Sequence, residues 1–543
     1  MQPLKLRVES LTMSAGTHSE ARPNVMSRVL RLFSPGREHS VTSAAALLMI
    51  ATLLARVVGY LRDAYVAYAF GAGPVTDAYI AAFTLPDFLL YLAAGGSISI
   101  TFISLFTRYL AEKREAEAQE VFSVIISIMA VFFTVVIAIG EVFTPQFVSW
   151  WFSGFTPEQT QLCTTLTRIL LPQPLFFLVG GIVSAVLQTR RQFLIPAFAP
   201  IVYTGFIVAG GILFSRQIGI ASLAVGATVG SLVGPFLLNA IGAKRTGIGF
   251  RFAFRPRLPA FRQWLWLSIP LMLGVSVVAA DDWILRKFAS FSPGDITRLN
   301  YAKRLLQVPI GVLGQAVGLA SLPFFSRLYS EKRYDDFAGI VNNSVYRLGA
   351  ISLLATSWMM AVSLPLVDLA FRRGRFDLAD SRQTASYFLI FSVSLIFWSV
   401  QGLYARGFYA AGDTVRPMVA GTLITLFSLP IYWVLFDRLG VIGLALASNL
   451  AILMHTLALA VMADSRRLVR LAGLNWMELA KALLTALLAG VLASWAGKAV
   501  PFQGTHLSAL QNIVWVSITW GAAVSAILWL TRSELLVDLR KRL

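Results

Sequence analysis

The sequence predicts an all-α integral membrane protein of about fourteen transmembrane helices: two parallel six-helix repeats, or lobes, followed by two C-terminal helices. Three observations carry this. Of 543 residues, 57% are hydrophobic and only 13% charged, against roughly 45–50% and a quarter in soluble chains. Apolar runs of about 20 residues recur from Ser43 to Thr531, each long enough for a hydrocarbon core of roughly 30 Å. Finally, part of the chain occurs twice.

In chain order, residues 1–42 are polar, carry both charge signs and lack the apolar stretch of a signal peptide. They read as a disordered cytoplasmic extension, with Met13 and Met26 as alternative starts. Spans then begin near Ser43, Asp77, Val121, Gln161, Leu194 and Ile220 (N-lobe, 43–262). Six more begin near Gln263, Leu299, Ser344, Thr384, Met418 and Gly440 (C-lobe, 263–464). The last pair, near Trp476 and Gln511, belongs to 465–543. Backbone groups left unpaired in lipid cost several kcal/mol each, so these runs must be helices rather than open sheet.

The formal charge of +19, from 46 Lys and Arg against 27 Asp and Glu, would suggest nucleic acid in a soluble chain. Here most basic residues fall in alternate loops: Arg108 to Arg114, Arg190 with Arg191, Lys244 to Arg262, Arg327 to Arg333, and Arg466 to Arg470. By the positive-inside rule these loops and both termini are cytoplasmic. Arg286 with Lys287 and Arg372 to Arg382 break the pattern. No nucleic-acid partner is needed to explain the charge. One cysteine, Cys163, and four scattered histidines exclude a disulfide framework and leave little for a metal centre or catalytic triad. No loop can house a catalytic domain, and no cofactor site or Walker-type loop occurs. A transporter, not an enzyme, is expected.

The duplication sets the architecture. Phe106-Thr107-Arg108 with Glu112-Lys113-Arg114 recurs as Phe325-Ser326-Arg327 with Glu331-Lys332-Arg333, an offset of 219. Pro196 to Gly219 with Leu223-Ala224 recurs as Pro417 to Gly440 with Leu444-Ala445, an offset of 221. Six spans per copy is an even number, so the copies are parallel, the arrangement that supports rocking about a midplane site.

Charges inside spans cost at least about 2.5–3.5 kcal/mol and mark functional candidates. They are Arg56, Arg62 and Asp63 in span one, Asp87 in span two, Arg168 in span four, Asp281 and Asp282 in span seven, and Lys303 and Arg304 in span eight. At 1.5 Å per residue, Arg62 lies about 28 Å along span one, Asp281 about 27 Å along span seven, and Arg304 about 8 Å from the outer end of span eight. All three thus share one depth, on helices of both lobes. The arginine fork suits phosphate oxygens, so the arginines predict a site for an anionic group such as a diphosphate. For Asp63 and Asp282 mutual neutralisation between packed helices is an equal reading. Arg168, one turn before Pro172 and Pro174, reads as a kinked helix as readily as a ligand.

At these residues the chain resembles the MurJ (MviN) lipid II flippases, of the multidrug/oligosaccharidyl-lipid/polysaccharide exporter superfamily. The matching runs are Ala55-Arg56-Val57-Val58-Gly59-Tyr60-Leu61-Arg62-Asp63, then Phe70-Gly71-Ala72-Gly73, Thr76-Asp77-Ala78 and Leu85-Pro86. Further on come Ile195-Pro196-Ala197-Phe198-Ala199-Pro200, Tyr301-Ala302-Lys303-Arg304 and Pro309-Ile310-Gly311-Val312-Leu313-Gly314. The resemblance implies transfer of lipid II, the undecaprenyl-diphosphate-linked peptidoglycan precursor, from the cytoplasmic to the periplasmic leaflet of the bacterial inner membrane. It implies Arg56, Arg62 and Arg304 as substrate ligands, with Lys303, Asp63 and Asp77 as further candidates, and a groove on spans thirteen and fourteen for the lipid tail. Membrane lipids and cell-wall synthesis machinery are the other partners it implies. Several features depart from the family: span two reads Asp87-Phe88-Leu89-Leu90-Tyr91 with no arginine, the usual Glu-Gly step beyond it is Gly95-Gly96, the usual Asp before the span-eight arginine is Lys303, the span-seven position for a sodium-binding Asp is Leu285, and Met418 to Phe436 contains no Asp, Glu or Asn. Asp281 and Asp282 are the candidates for coupling to sodium or protons, the membrane potential being the other energy source. Alternatives are a flippase for another polyprenyl-diphosphate glycan and a cation or drug antiporter of the same superfamily.

Overall fold

The computed structural model describes residues 41–94, 97–273, 277–500 and 505–535; the N-terminal extension lies outside them. Every regular element among the described residues is helical. The first half comprises α1 (Val41–Phe70), a broken second segment of α2 (Pro74–Ala82), α3 (Thr84–Ala94) and α4 (Ser97–Ala111), then α5 (Glu115–Trp151), α6 (Pro157–Leu170), α7 (Gln173–Thr189) and α8 (Leu194–Ile218). It closes with α9 (Ala221–Ser231), a π-helical stretch Leu232–Leu238, and α10 (Asn239–Arg245). The second half runs through α11 (Pro259–Leu273), α12 (Val277–Ala289), α13 (Asp295–Pro309), a π-helical stretch Ile310–Gln315, α14 (Ala316–Ser330), α15 (Tyr334–Ala361) and α16 (Ser363–Phe371). It continues with α17 (Leu378–Ser392), α18 (Ser394–Ala410) and α19 (Val415–Ser465), and α20 (Trp476–Gly497) and α21 (His506–Leu530) follow.

Eight helical segments are long and apolar enough on their own to cross a bilayer, and α15 with α16, bent by 70°, makes nine. The expected count of fourteen exceeds this for identifiable reasons. α1 carries three charges, the segments α2–α4, α11–α12 and α13–α14 are interrupted, and α19 is one 51-residue helix broken at Gly440 (φ 58, ψ −142). Proline accounts for two of the irregularities. Pro235 lies inside one π-helical stretch and Pro309 immediately precedes the other, each removing a backbone donor so that the helix widens.

The duplication is written in the backbone. Lys113 and Lys332, 219 apart, both adopt positive φ (58° and 59°). Each ends its helix with the same pair of bonds: Lys113 N donates to Leu110 O (3.0 Å) and Arg114 N to Tyr109 O (2.9 Å), as Lys332 N does to Tyr329 O (3.0 Å) and Arg333 N to Leu328 O (3.0 Å). In these exposed turns the hydrogen bond from Arg114 holds Glu117 below the usual carboxylate range, and that from Arg327 does the same for Glu331. Gly219 and Gly440, 221 apart, both stand at φ 58. Capping boxes at Thr156/Gln159 and Asp377/Asp380 start equivalent helices. Thr228 Oγ1 donates to Ile169 O (2.5 Å) where Asn449 Nδ2 donates to Ile390 O (2.6 Å), both partners displaced by 221.

Three large apolar cores, among the described residues, give the molecule its shape. One contains residues of both halves, among them Val66, Ile80, Val148 and Leu223 from the first and Leu299, Tyr301, Phe371 and Leu444 from the second. The other two are separate: Phe102, Phe122, Ile125 and Val186 in the first half, and Phe325, Phe337, Leu403 and Leu459 with α20 and α21 in the second. The shared core lies at one end of the helices, and the separate cores lie toward the end that carries the arginine-rich loops. The halves thus join at one end and part at the other. α11 places Ala260, Phe261 and Trp264 in the first half's core, while α12 packs against α19.

Candidate functional site

The gap between the halves is a cavity of about 730 Å³ bordered by α1, α8, α13 and α18. Its lining includes Arg56, Arg62, Lys303, Arg304 and Arg406 against the carboxylates Asp63 and Asp282, with Tyr203, Trp398 and Gln401 among the neutral members. Basic side chains therefore outnumber acidic ones in a partly apolar space, which favours an anion.

Arg62 is held by its neighbour: Nε and Nη2 donate to Asp63 Oδ1 at 2.9 and 2.7 Å. The other oxygen of Asp63 faces Arg304 Nε, from the opposite half, at 3.6 Å. Asp63 thus links two arginines across the cavity. Arg304 leaves 44% of its side chain exposed, so its fork is available to a ligand. Arg56 reaches further: its guanidinium lies against Gly311, the second residue of the π-helical turn after Pro309, and a methyl group there would overlap it. The widened turn and the missing side chain together make room for this arginine.

Lys303 and the two aspartates form a different unit. Lys303 Nζ donates to Asp281 Oδ2 at 2.5 Å and to Asp282. Asp281, buried, also accepts from Ser448 Oγ at 2.9 Å and from Tyr432 Oη. Four helical segments of the second half meet at this cluster, and Asp282 and Lys303 extend from it to the cavity wall. The Lys303 ammonium thus lies between the two aspartates that are the candidates for ion coupling.

Asp77 is not at the cavity. Its Oδ1 accepts from Thr297 N (2.9 Å) and Thr297 Oγ1 (2.6 Å), and its Oδ2 from Gly294 N (2.5 Å). It therefore caps the N-terminus of α13 from the other half, where the first backbone donors of a helix have no partner within it. This bond belongs to a seal at the joined end. A methyl on Gly71 would come within 2.7 Å of Arg375 O, and one on Gly154 within 2.6 Å of Phe291 N, so backbone meets backbone at both places. The two contacts exchange under the repeat, since 154 and 375 are 221 apart and 71 and 291 are 220 apart. Arg375 N donates to Tyr68 O (3.0 Å), Tyr60 Oη to Ala370 O (3.0 Å), and Arg286 Nη1 to Asp87 Oδ2 (3.2 Å).

The basic residues that broke the loop pattern belong to this end as well. Arg286 pairs with Asp87, Lys287 stands 4.8 Å from the Trp151 ring, and Arg372 pairs with Asp368 at 2.8 Å. Arg168 lies outside the central cavity, bonded to Glu141 O at 3.1 Å beside the break between α6 and α7. Sequence reasoning missed Arg406. Counted from Thr384 it falls about 33 Å along its span, at the membrane edge, yet it lines the cavity.

The family described as "Lipid II flippase MurJ" matches residues 66–514. A "Probable lipid II flippase MurJ" of Rickettsia prowazekii is 27% identical over 413 residues, 75% of this chain and 80% of that one. A "Lipid II flippase MurJ" of Burkholderia cenocepacia is 26% identical over 424 residues, covering 75% and 81%. Among solved structures, a lipid II flippase MurJ in an inward closed conformation superposes with a TM-score of 0.74 at 22% identity, covering 89% of this chain and 99% of that one. An inward-facing multidrug resistance MATE family transporter of the MOP superfamily gives 0.64 at 12%, covering 78% and 98%. These two likenesses establish the fold. With a matched region that covers most of its length, the chain is a multi-pass membrane protein that belongs to the MurJ lipid II flippase family.

Proposed function

We propose that this protein carries lipid II from the cytoplasmic to the periplasmic leaflet of the bacterial inner membrane. The observation that carries the reading is the cavity between the halves, set with Arg56, Arg62, Arg304 and Arg406 and sealed at the end away from the arginine-rich loops. The positive-inside rule puts those loops, and the opening, in the cytoplasm. The diphosphate enters from that side and pairs with the forks of Arg304 and Arg56. Its arrival competes with Asp63 for Arg62 and Arg304 and so weakens the link between the halves. The halves then rock, the seal of Asp77, Gly71 and Gly154 parts, and the headgroup leaves on the other side while the prenyl tail stays in lipid. Two lobes followed by a terminal pair of helices suit this cycle.

Net outward movement of an anion is favoured by an inside-negative potential, by about 2.3 kcal/mol per charge per 100 mV. Because Lys303 holds Asp281, the potential is the proposed energy source rather than a bound cation. Complementation of cells depleted of their own lipid II flippase tests the reading. Wild type is expected to rescue growth, and Arg56→Ala and Arg304→Ala to fail at equal membrane abundance. Failure of the wild type, or full rescue by both variants, would overturn it.

A further inference from the structure

A second cavity, of about 500 Å³, opens on the first half at the arginine-rich end, away from the central site. Its walls are apolar, with Ile126 from α5, Val179 and Val183 from α7 and Ala240 from α10, and its mouth carries Phe250 and Lys244. None of the residues lining it is acidic. The volume falls within the range of about 300–1,000 Å³ usual for small-ligand pockets.

The strap that follows α10 frames the mouth. Residues 250–255 read Phe-Arg-Phe-Ala-Phe-Arg. The strap is tied to α5 by two hydroxyls one turn apart: Arg251 N donates to Ser123 Oγ (3.2 Å) and Ala253 N to Ser127 Oγ (3.0 Å). Held this way, Phe250, Phe252 and Phe254 are exposed by 53%, 68% and 55%. Arg255 pairs with Glu120 at 2.6 Å, while Lys244, Arg245 and Arg251 add positive charge beside the groove. Three exposed phenylalanines interleaved with arginines at the membrane's edge have the chemistry of a headgroup interface: rings at the acyl boundary, cations toward lipid phosphate.

We propose that this groove and strap form a binding site for an anionic phospholipid of the leaflet at the arginine-rich end, one acyl chain lying in the groove and the phosphate on Lys244 and Arg251. Charge complementarity selects this occupant over a zwitterionic lipid, and the apolar walls select it over a soluble anion. The site is separate from the arginine cavity, so it stands or falls independently of the lipid II reading.

Native mass spectrometry of the full chain in micelles doped with phosphatidylglycerol, phosphatidylcholine or undecaprenyl phosphate tests it. One phosphatidylglycerol adduct is expected, several-fold more abundant than that of phosphatidylcholine. Lys244→Gln with Arg251→Gln, both on exposed positions, should reduce it several-fold, and Ala240→Trp should remove it by filling the groove. Arg56→Ala should leave it unchanged. Equal adducts of phosphatidylglycerol and phosphatidylcholine, an adduct with undecaprenyl phosphate alone, or a phosphatidylglycerol adduct indifferent to the charge variants would overturn the proposal.

Discussion

At the residue scale, the charged side chains divide by what they touch. Arg304 has a half-exposed fork, whereas Lys303, one residue earlier, is bound to Asp281 and Asp282. Removing one partner of a buried pair strands the other charge at a cost of about 3–5 kcal/mol. Lys303→Met is therefore expected to lower thermal stability in detergent by that order, and Lys303→Met with Asp281→Asn to recover much of it. A lysine whose main role was substrate contact would leave the melting temperature unchanged. Gly311→Ala makes the complementary point. The added methyl displaces the Arg56 guanidinium, so rescue by this variant should fall toward that of Arg56→Ala while its melting temperature stays near the wild type. The arginines were legible because charge in an apolar run is conspicuous. The partners of the buried aspartates were not: Asp77 and Thr297 are 220 residues apart, Asp281 and Tyr432 151 apart, and no local pattern announces such pairs.

Helices and their turns carry the duplication most plainly. The sequence repeat predicted parallel halves, and the structure extends it to hydrogen bonds such as Thr228 to Ile169 and Asn449 to Ile390, where the side chains differ but the positions correspond. Helix ends were legible where a repeat marked them; the breaks in α2–α4 and the π-helical turns were not, since hydropathy stays high through an interruption. Gly440 is the clearest turn signal, at φ 58 and ψ −142, a conformation that costs other residues of order 1–3 kcal/mol. Gly440→Ala and Gly219→Ala should each lose stability of that order in a thermal melt. A loss at only one of them would mean that the two turns are not equivalent.

For the whole molecule, one shared core and two separate ones describe a body hinged at its sealed end. The seal adds capping bonds and backbone contacts to the shared apolar core, and the caps are the part that a single substitution can remove. Loss of a helix cap is worth about 0.5–2 kcal/mol. Asp77→Ala should accordingly shift the population toward opening at that end, seen as faster labelling of Thr204→Cys in the cavity by an impermeant maleimide added outside. The orientation and the cavity together lead to the central claim, transport of lipid II by opening first at one end and then at the other. Its most direct measurement is periplasmic exposure of lipid II in cells that depend on this protein, carrying Asp77→Cys with Thr297→Cys, whose native side chains meet at 2.6 Å. The account predicts normal exposure under reducing conditions, loss of exposure when the pair is oxidised, and recovery on reduction. Unchanged exposure with the crosslink formed would contradict it.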